Sequence, residues 1–235
     1  MVNEDKPVIT VRTWVSLVVR TSLFPVAILW PAGTWKWWDA WLLIGIWILF
    51  FITITLLLVK HDPALLVERM KASPIQKDQK GWDKFLLAII FVVGICLYIV
   101  PGFELIRFEW NAPLPRWLRT VALLAHIPGF YLLGWVMLSN TYLSQVVKID
   151  HDRGHQVITG GPYAIVRHPM YLSVIVLLLA YPLALGSSLG LIPALLLIVL
   201  FIIRTILEDR TLHSELAGYP DYAKVTRYKI LPWIW

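Results

Sequence analysis

The stretch GPYAIVRHPMY, residues 161–171, sets Arg167 and His168 directly before a long apolar run, with Pro169 next in line. Proline holds the residue before it in extended or turn geometry and suits the first turn of a helix, so a helix is predicted to start here, with Arg167 and His168 at its mouth. A cation there opposes the helix dipole, yet free N–H groups beside a guanidinium fork make a site for an anion. An arginine that only reaches toward lipid phosphate would have the same sequence setting. A second charged set lies in FIIRTILEDRTLHSEL, residues 201–216, where Arg204 and Glu208 are four apart and share one helical face. That spacing suits a modest ion pair as well as a site. The tail AGYPDYAKVTRYKILPWIW carries Tyr219, Tyr222, Arg227 and Tyr228, and reads as an interfacial anchor or as a lid over a pocket. In SNTYLSQVVK a helical register pairs Asn140 with Ser144 and Thr141 with Gln145, groups that interhelical hydrogen bonding explains as readily as a ligand does.

Other chemistries find little support. His151 and His155 are four apart, but Gly154 lies between them and no further ligands have convincing spacing, so no metal is expected. The Gly160-Gly161-Pro162 turn lacks the lysine of a phosphate-binding loop, and no G-x-G-x-x-G fingerprint follows a strand. Cys96 is the only cysteine and sits in an apolar run, which rules out a disulfide or thiolate cluster within one chain.

The elements that must position these residues are membrane helices. Of the 235 residues 58% are hydrophobic and 15% charged, with a mean hydropathy of +0.69, outside the range of soluble domains. Many of the tryptophans fall at the ends of apolar runs, as in an aromatic belt. A crossing needs about 20 apolar residues, which 40–59, 85–103 and 120–147 supply. The run 13–30 is interrupted by Arg20, so an interfacial helix is its alternative. Between Arg167 and Arg204 no residue carries a formal charge, and YPLALGSSLGLIP in the middle is rich in turn formers. This predicts a hairpin with arms 170–186 and 189–207, hence an all-α polytopic bundle of five or six spans. Arms that start and end at one surface bring Glu208 to the depth of Arg167 and His168.

Lys and Arg set the expected orientation. Two precede the first span, six lie in 60–84, three in 148–167 and five from Arg204 onward, against four on the opposite side. Both termini and the polar clusters are therefore expected in the cytosol. The net charge of +6 is spread over these loops, which suits anionic lipid and not nucleic acid. The opening MVNEDKPVIT is too polar and acidic for a cleavable signal peptide.

Taken in order, GHQVITGGPYAIVRHPMY, the apolar hairpin, Glu208-Asp209, LHSELAGYPDY and VTRYKILP resemble the carboxyl-terminal half of the isoprenylcysteine carboxyl methyltransferase family and the related phospholipid N-methyltransferases. The resemblance covers about 134–235 and implies two parts, helices 1–133 facing the acceptor and a methyltransferase core from 134. It implies an S-adenosylmethionine-dependent enzyme with its cofactor at the cytosolic surface beneath the tail, S-adenosylhomocysteine as product, and a lipophilic or lipid-modified acceptor. Carried over, Gly161, Pro162, Tyr163, Arg167, His168, Tyr171, Tyr222 and Glu208 would line the cofactor pocket, with Gln145 and His155 beside them. Arg204, Glu208 and Arg227 would be the catalytic candidates, the arginines meeting the cofactor carboxylate or the acceptor. The family's second acid is usually Glu, and here it is Asp209. Competing readings are a sterol-reductase-type membrane enzyme using a nicotinamide cofactor, and a transporter or other non-catalytic membrane protein, for which the polar groups at mid-bilayer depth are few.

Overall fold

The computed structural model describes residues 10–70, 79–149 and 154–235. The described residues form an all-helical bundle. Helix α1 covers Val11–Ala32, α2 Trp38–His61, α3 Pro63–Met70 and α4 Gly81–Gly102, followed by a π-helical turn at Phe103–Arg107. Then come α5 Arg116–Ser139, a 3₁₀ turn at Gly161–Ala164, α6 Pro169–Leu185, α7 Leu191–Glu215 and α8 Tyr219–Val225. Among the described residues, five helices are long and apolar enough to cross a membrane: α1, α2, α4 with its π turn, α5 and α7. The chain is a multi-pass membrane protein. The sixth apolar helix, α6, has 17 residues and forms the shorter arm of a hairpin with α7.

The run broken by Arg20 is a full-length helix, because Arg20 turns inward and donates from Nη1 to the carbonyl of Arg69 at 3.0 Å. The long run 120–147 splits. Its helix ends at Ser139, Asn140 accepts from the Tyr142 backbone N–H with its side-chain oxygen, and 140–149 continues as irregular chain along the end of the bundle. The hairpin falls where the turn formers predict it, although α7 runs on to Glu215 and keeps Glu208 within regular helix.

Helix α6 packs along α5 and α7, and Gly129 permits the closest approach. A Cβ there would lie 2.9 Å from the Leu177 side chain. Small residues at helix contacts serve this purpose inside membranes, where no hydrophobic force drives helices together. At the hairpin apex, the fully buried Glu104 accepts hydrogen bonds from the Ser187 hydroxyl, the Ser188 N–H and hydroxyl and the Leu189 N–H. The π turn after Pro101 aims this carboxylate under the apex and so ties α4 to both arms. At the same end of the bundle, the exposed indoles of Trp30, Trp35, Trp38, Trp110 and Trp117 form the expected girdle.

Candidate active site

At the opposite end, α6 begins at Pro169 as its motif predicts, and the tail crosses the start of the helix. The backbone N–H groups of Arg167 and His168 donate to the carbonyls of Tyr228 and Lys229 at 2.9 and 2.8 Å. The Arg167 guanidinium is used in the same way. Nε and Nη2 meet Asp209 at 2.9 and 3.4 Å, and Nη1 donates to the carbonyls of Thr226 and Arg227. Arg167 therefore spends its fork on fastening the tail to α7, and little donor capacity is left for a ligand.

Asp209 is the centre of this clamp. It also receives the Tyr219 hydroxyl at 2.9 Å, lies 3.3 Å from His168 Nε2 and pairs with Lys229 Nζ at 3.3 Å. Glu208, one residue earlier, points to the other side and accepts the Tyr171 hydroxyl. Among the described residues that hydroxyl is the only hydrogen-bond donor to the Glu208 carboxylate, and Glu208 lines a cleft. The i,i+4 pair suggested by Arg204 and Glu208 is not made. Arg204 turns instead to the fully buried Asp83, Nε to Oδ1 at 2.8 Å, while its Nη2 donates to the Gln145 carbonyl.

The cleft lies between α6, α7, α8 and the stretches 140–148 and 155–158, and holds about 820 Å³ including its open mouth. Its walls include His155, Tyr163, Arg167, His168, Tyr171, Arg204, Glu208 and Tyr222 from the sequence candidates, together with Tyr142 and Tyr219. The His155 ring stacks on Tyr142 with centroids 4.7 Å apart, and the Arg204 guanidinium lies 5.9 Å from the centre of the Tyr171 ring. Asn140 donates to the Tyr163 hydroxyl at 2.8 Å, and Tyr222 donates to the Tyr163 carbonyl at 2.7 Å, which joins loop, turn and tail around the mouth. Burial raises the phenols of Tyr163 and Tyr219, with the charge of Asp209 adding to the rise at Tyr219. Burial likewise pushes Tyr222 up to about 12.

Three sequence candidates stand behind the wall, and one is on its far side. Gly161 has a φ of +60°, which suits glycine, and a Cβ there would sit 2.7 Å from the Ser139 hydroxyl. It and the buried Pro162 shape the turn that presents Tyr163. Arg227 offers its carbonyl to Arg167, and its side chain is not part of the wall. Gln145 lines a second, largely apolar cavity between α1, α2, α3 and α5, of about 850 Å³ including its open mouth. The polar edge of that cavity is made by Arg20, Arg69 and Gln145, and Phe50 and Ile54 separate it from a lipid-facing groove between α2 and α5. His151, of the dismissed metal pair, lies outside the described residues. Among those described, no group of three or more metal-ligating side chains occurs.

Sequence reasoning missed Asp83 and the role of Asp209. A single acid in the first turn of an apolar helix looks like a span-flanking charge, and nothing local ties Asp83 to a residue 121 positions later. Asp209 could have been separated from Glu208 by helical geometry, since neighbours on a helix diverge by about 100°.

Residues 121–214 match the model of the isoprenylcysteine carboxyl methyltransferase (ICMT) family, a stretch running from α5 through the hairpin to the last turns of α7. The matched stretch therefore contains the hairpin and the helix packed along it. The match covers less than half of the chain, and over that stretch the chain is similar to the ICMT family, as its motifs suggested. No curated protein matches it.

Proposed function

We propose that this protein is a membrane methyltransferase that uses S-adenosylmethionine and modifies a lipophilic acceptor. The observation that carries this reading is the Glu208–Tyr171 pair, an acid with one oxygen hydrogen-bonded, in the wall of an aromatic-lined cleft at the end of the bundle. The residues present fit the cofactor. Glu208 suits its ammonium group, the rings of Tyr142, His155, Tyr163 and Tyr171 suit adenine and a sulfonium cation, and Arg204 Nη1, without a partner among the described residues, suits a carboxylate. S-Adenosylmethionine would supply an activated methyl on sulfur, for transfer by in-line displacement.

The work left to the protein is orientation in a water-poor site, which lowers a barrier by roughly 7–11 kcal/mol. Tyr171 and Glu208 hold one side of the cleft, Arg204 the side toward the second cavity, and Tyr219 and Tyr222 cover it from the tail. The second cavity suits the acceptor, an apolar chain among Leu17, Phe50, Ile54 and Leu133 with its reactive head near Arg69 and Gln145. Burial and the nearby Arg20 lower the Arg69 pKa, as expected of a cation kept from water without a carboxylate partner among the described residues. The excess of Lys and Arg at this end of the bundle supports a cytosolic site and cytosolic termini.

The test is mass spectrometry of the detergent-purified protein for co-purified S-adenosylmethionine or S-adenosylhomocysteine, followed by transfer of labelled methyl into a membrane lipid extract. Bound cofactor and a labelled lipophilic product are expected. Neither nucleoside retained nor label transferred would overturn the proposal.

A further inference from the structure

Asp83 lies in the first turn of α4, upstream of the family-matched stretch, and has no exposed surface. Both of its oxygens are engaged. Oδ1 takes the Arg204 Nε at 2.8 Å, and Oδ2 takes the Gln79 side-chain amide and the Val147 backbone N–H, each at 2.9 Å. A buried ion pair is weak evidence for stability, because well-packed apolar residues of similar volume commonly do as well or better. Its place in the molecule suggests another use.

Arg204 also donates from Nη2 to the Gln145 carbonyl at 2.9 Å. The carboxylate and the guanidinium together thus grip the short segment 145–147 from two sides. That segment divides the two cavities, since Val147 lines the aromatic cleft and the Gln145 side chain lines the apolar cavity. With Nε fixed by Asp83 and Nη2 by Gln145, the Arg204 guanidinium is held in one orientation, its central carbon 5.9 Å from the centre of the Tyr171 ring. Rotating the guanidinium would break two charge-assisted or buried hydrogen bonds at once.

We infer that Asp83 is a positioning residue for methyl transfer, fixing the Arg204 guanidinium and the 145–147 partition where donor cleft and acceptor cavity meet. The inference rests on the methyltransferase reading above. It places a determinant of the reaction on α4, outside the core that carries the family motifs.

The experiment compares full-length wild type, Asp83→Asn, Arg204→Gln and the double variant in detergent. The readouts are S-adenosylhomocysteine binding by calorimetry, labelled-methyl transfer into membrane lipid extract, and hydrogen exchange at the Val147 amide. Asp83→Asn is expected to bind S-adenosylhomocysteine more weakly, because Arg204 is the group offered to its carboxylate, and at saturating cofactor to transfer methyl on the order of 100-fold more slowly, the cost of a slightly misplaced group. It should also exchange the Val147 amide faster. The loss in the double variant should be well short of the product of the two single losses, because Asp83 acts largely through that side chain. Wild-type rate and exchange in Asp83→Asn, or losses that multiply in the double variant, would overturn the positioning role alone. A wild type that neither binds the nucleoside nor transfers methyl would overturn the parent reading and this inference with it.

Discussion

Glu208 and Asp209 are adjacent in sequence and face opposite ways, Glu208 into the cleft toward the Tyr171 hydroxyl and Asp209 under the tail toward Arg167 and Lys229. The acidic doublet thus divides its labour by helical geometry: one carboxylate is available to a ligand, the other holds the cover in place. The shorter side chain of Asp209 is sufficient for its task, because Arg167, Tyr219 and Lys229 all come to it.

The clamp makes a prediction about Arg167. Its planar fork serves one carboxylate and two carbonyls, a geometry that a lysine ammonium cannot reproduce. Arg167→Lys should therefore loosen the tail, seen as faster limited proteolysis after Glu215 and a lower thermal midpoint in detergent. Unchanged protection of the tail would show that Arg167 does not fasten it.

Alkaline pH should open the same region. Tyr163, Tyr219 and Tyr222 each have a folded-state pKa raised above the ordinary tyrosine value, with Tyr222 at about 12. The folded protein then keeps phenolic protons that the unfolded chain gives up from about pH 10. Stability from these groups is fully present below about pH 10 and declines as pH rises toward the folded values. Thermal midpoints measured from neutral to strongly alkaline pH should fall above about pH 10. The fall should be shallower in Tyr222→Phe, which has one such proton fewer. A flat profile, or equal slopes in both proteins, would contradict the assignment.

At the other end of the bundle, Glu104→Gln replaces an acceptor of several N–H and O–H donors by an amide with one oxygen. A loss of about 2–4 kcal/mol is expected from the buried donors left unpaired. The hairpin should loosen without any change at the cleft walls, so nucleoside affinity at a temperature where the variant is folded should match wild type. A midpoint equal to that of wild type would show that the apex does not depend on this carboxylate.

Much of this architecture was legible in the residues. The apolar runs gave the helices, the turn formers of 181–193 gave the hairpin, and His168-Pro169 gave the start of α6, because each depends on hydropathy or backbone geometry a few residues long. Long-range pairing was not legible. Arg204 has an acid four residues away in sequence and takes one on α4 instead, and Arg167 is drawn to backbone carbonyls of a tail 60 residues on. Side-chain pairing inside a helical bundle depends on rotation and depth of whole helices, which local spacing does not encode. The second cavity was likewise hidden, since it is formed where four helices fail to close and no motif marks it.

The central claim is that the Glu208 side of the cleft grips a charged nucleoside methyl donor. It is tested most directly by calorimetric titration of S-adenosylhomocysteine into detergent-purified wild type, Glu208→Ala and Tyr171→Phe. Saturable binding to wild type is expected, weakened at least about tenfold in Glu208→Ala, equivalent to about 1.4 kcal/mol, with a smaller loss in Tyr171→Phe. Equal affinity in all three proteins would contradict the placement.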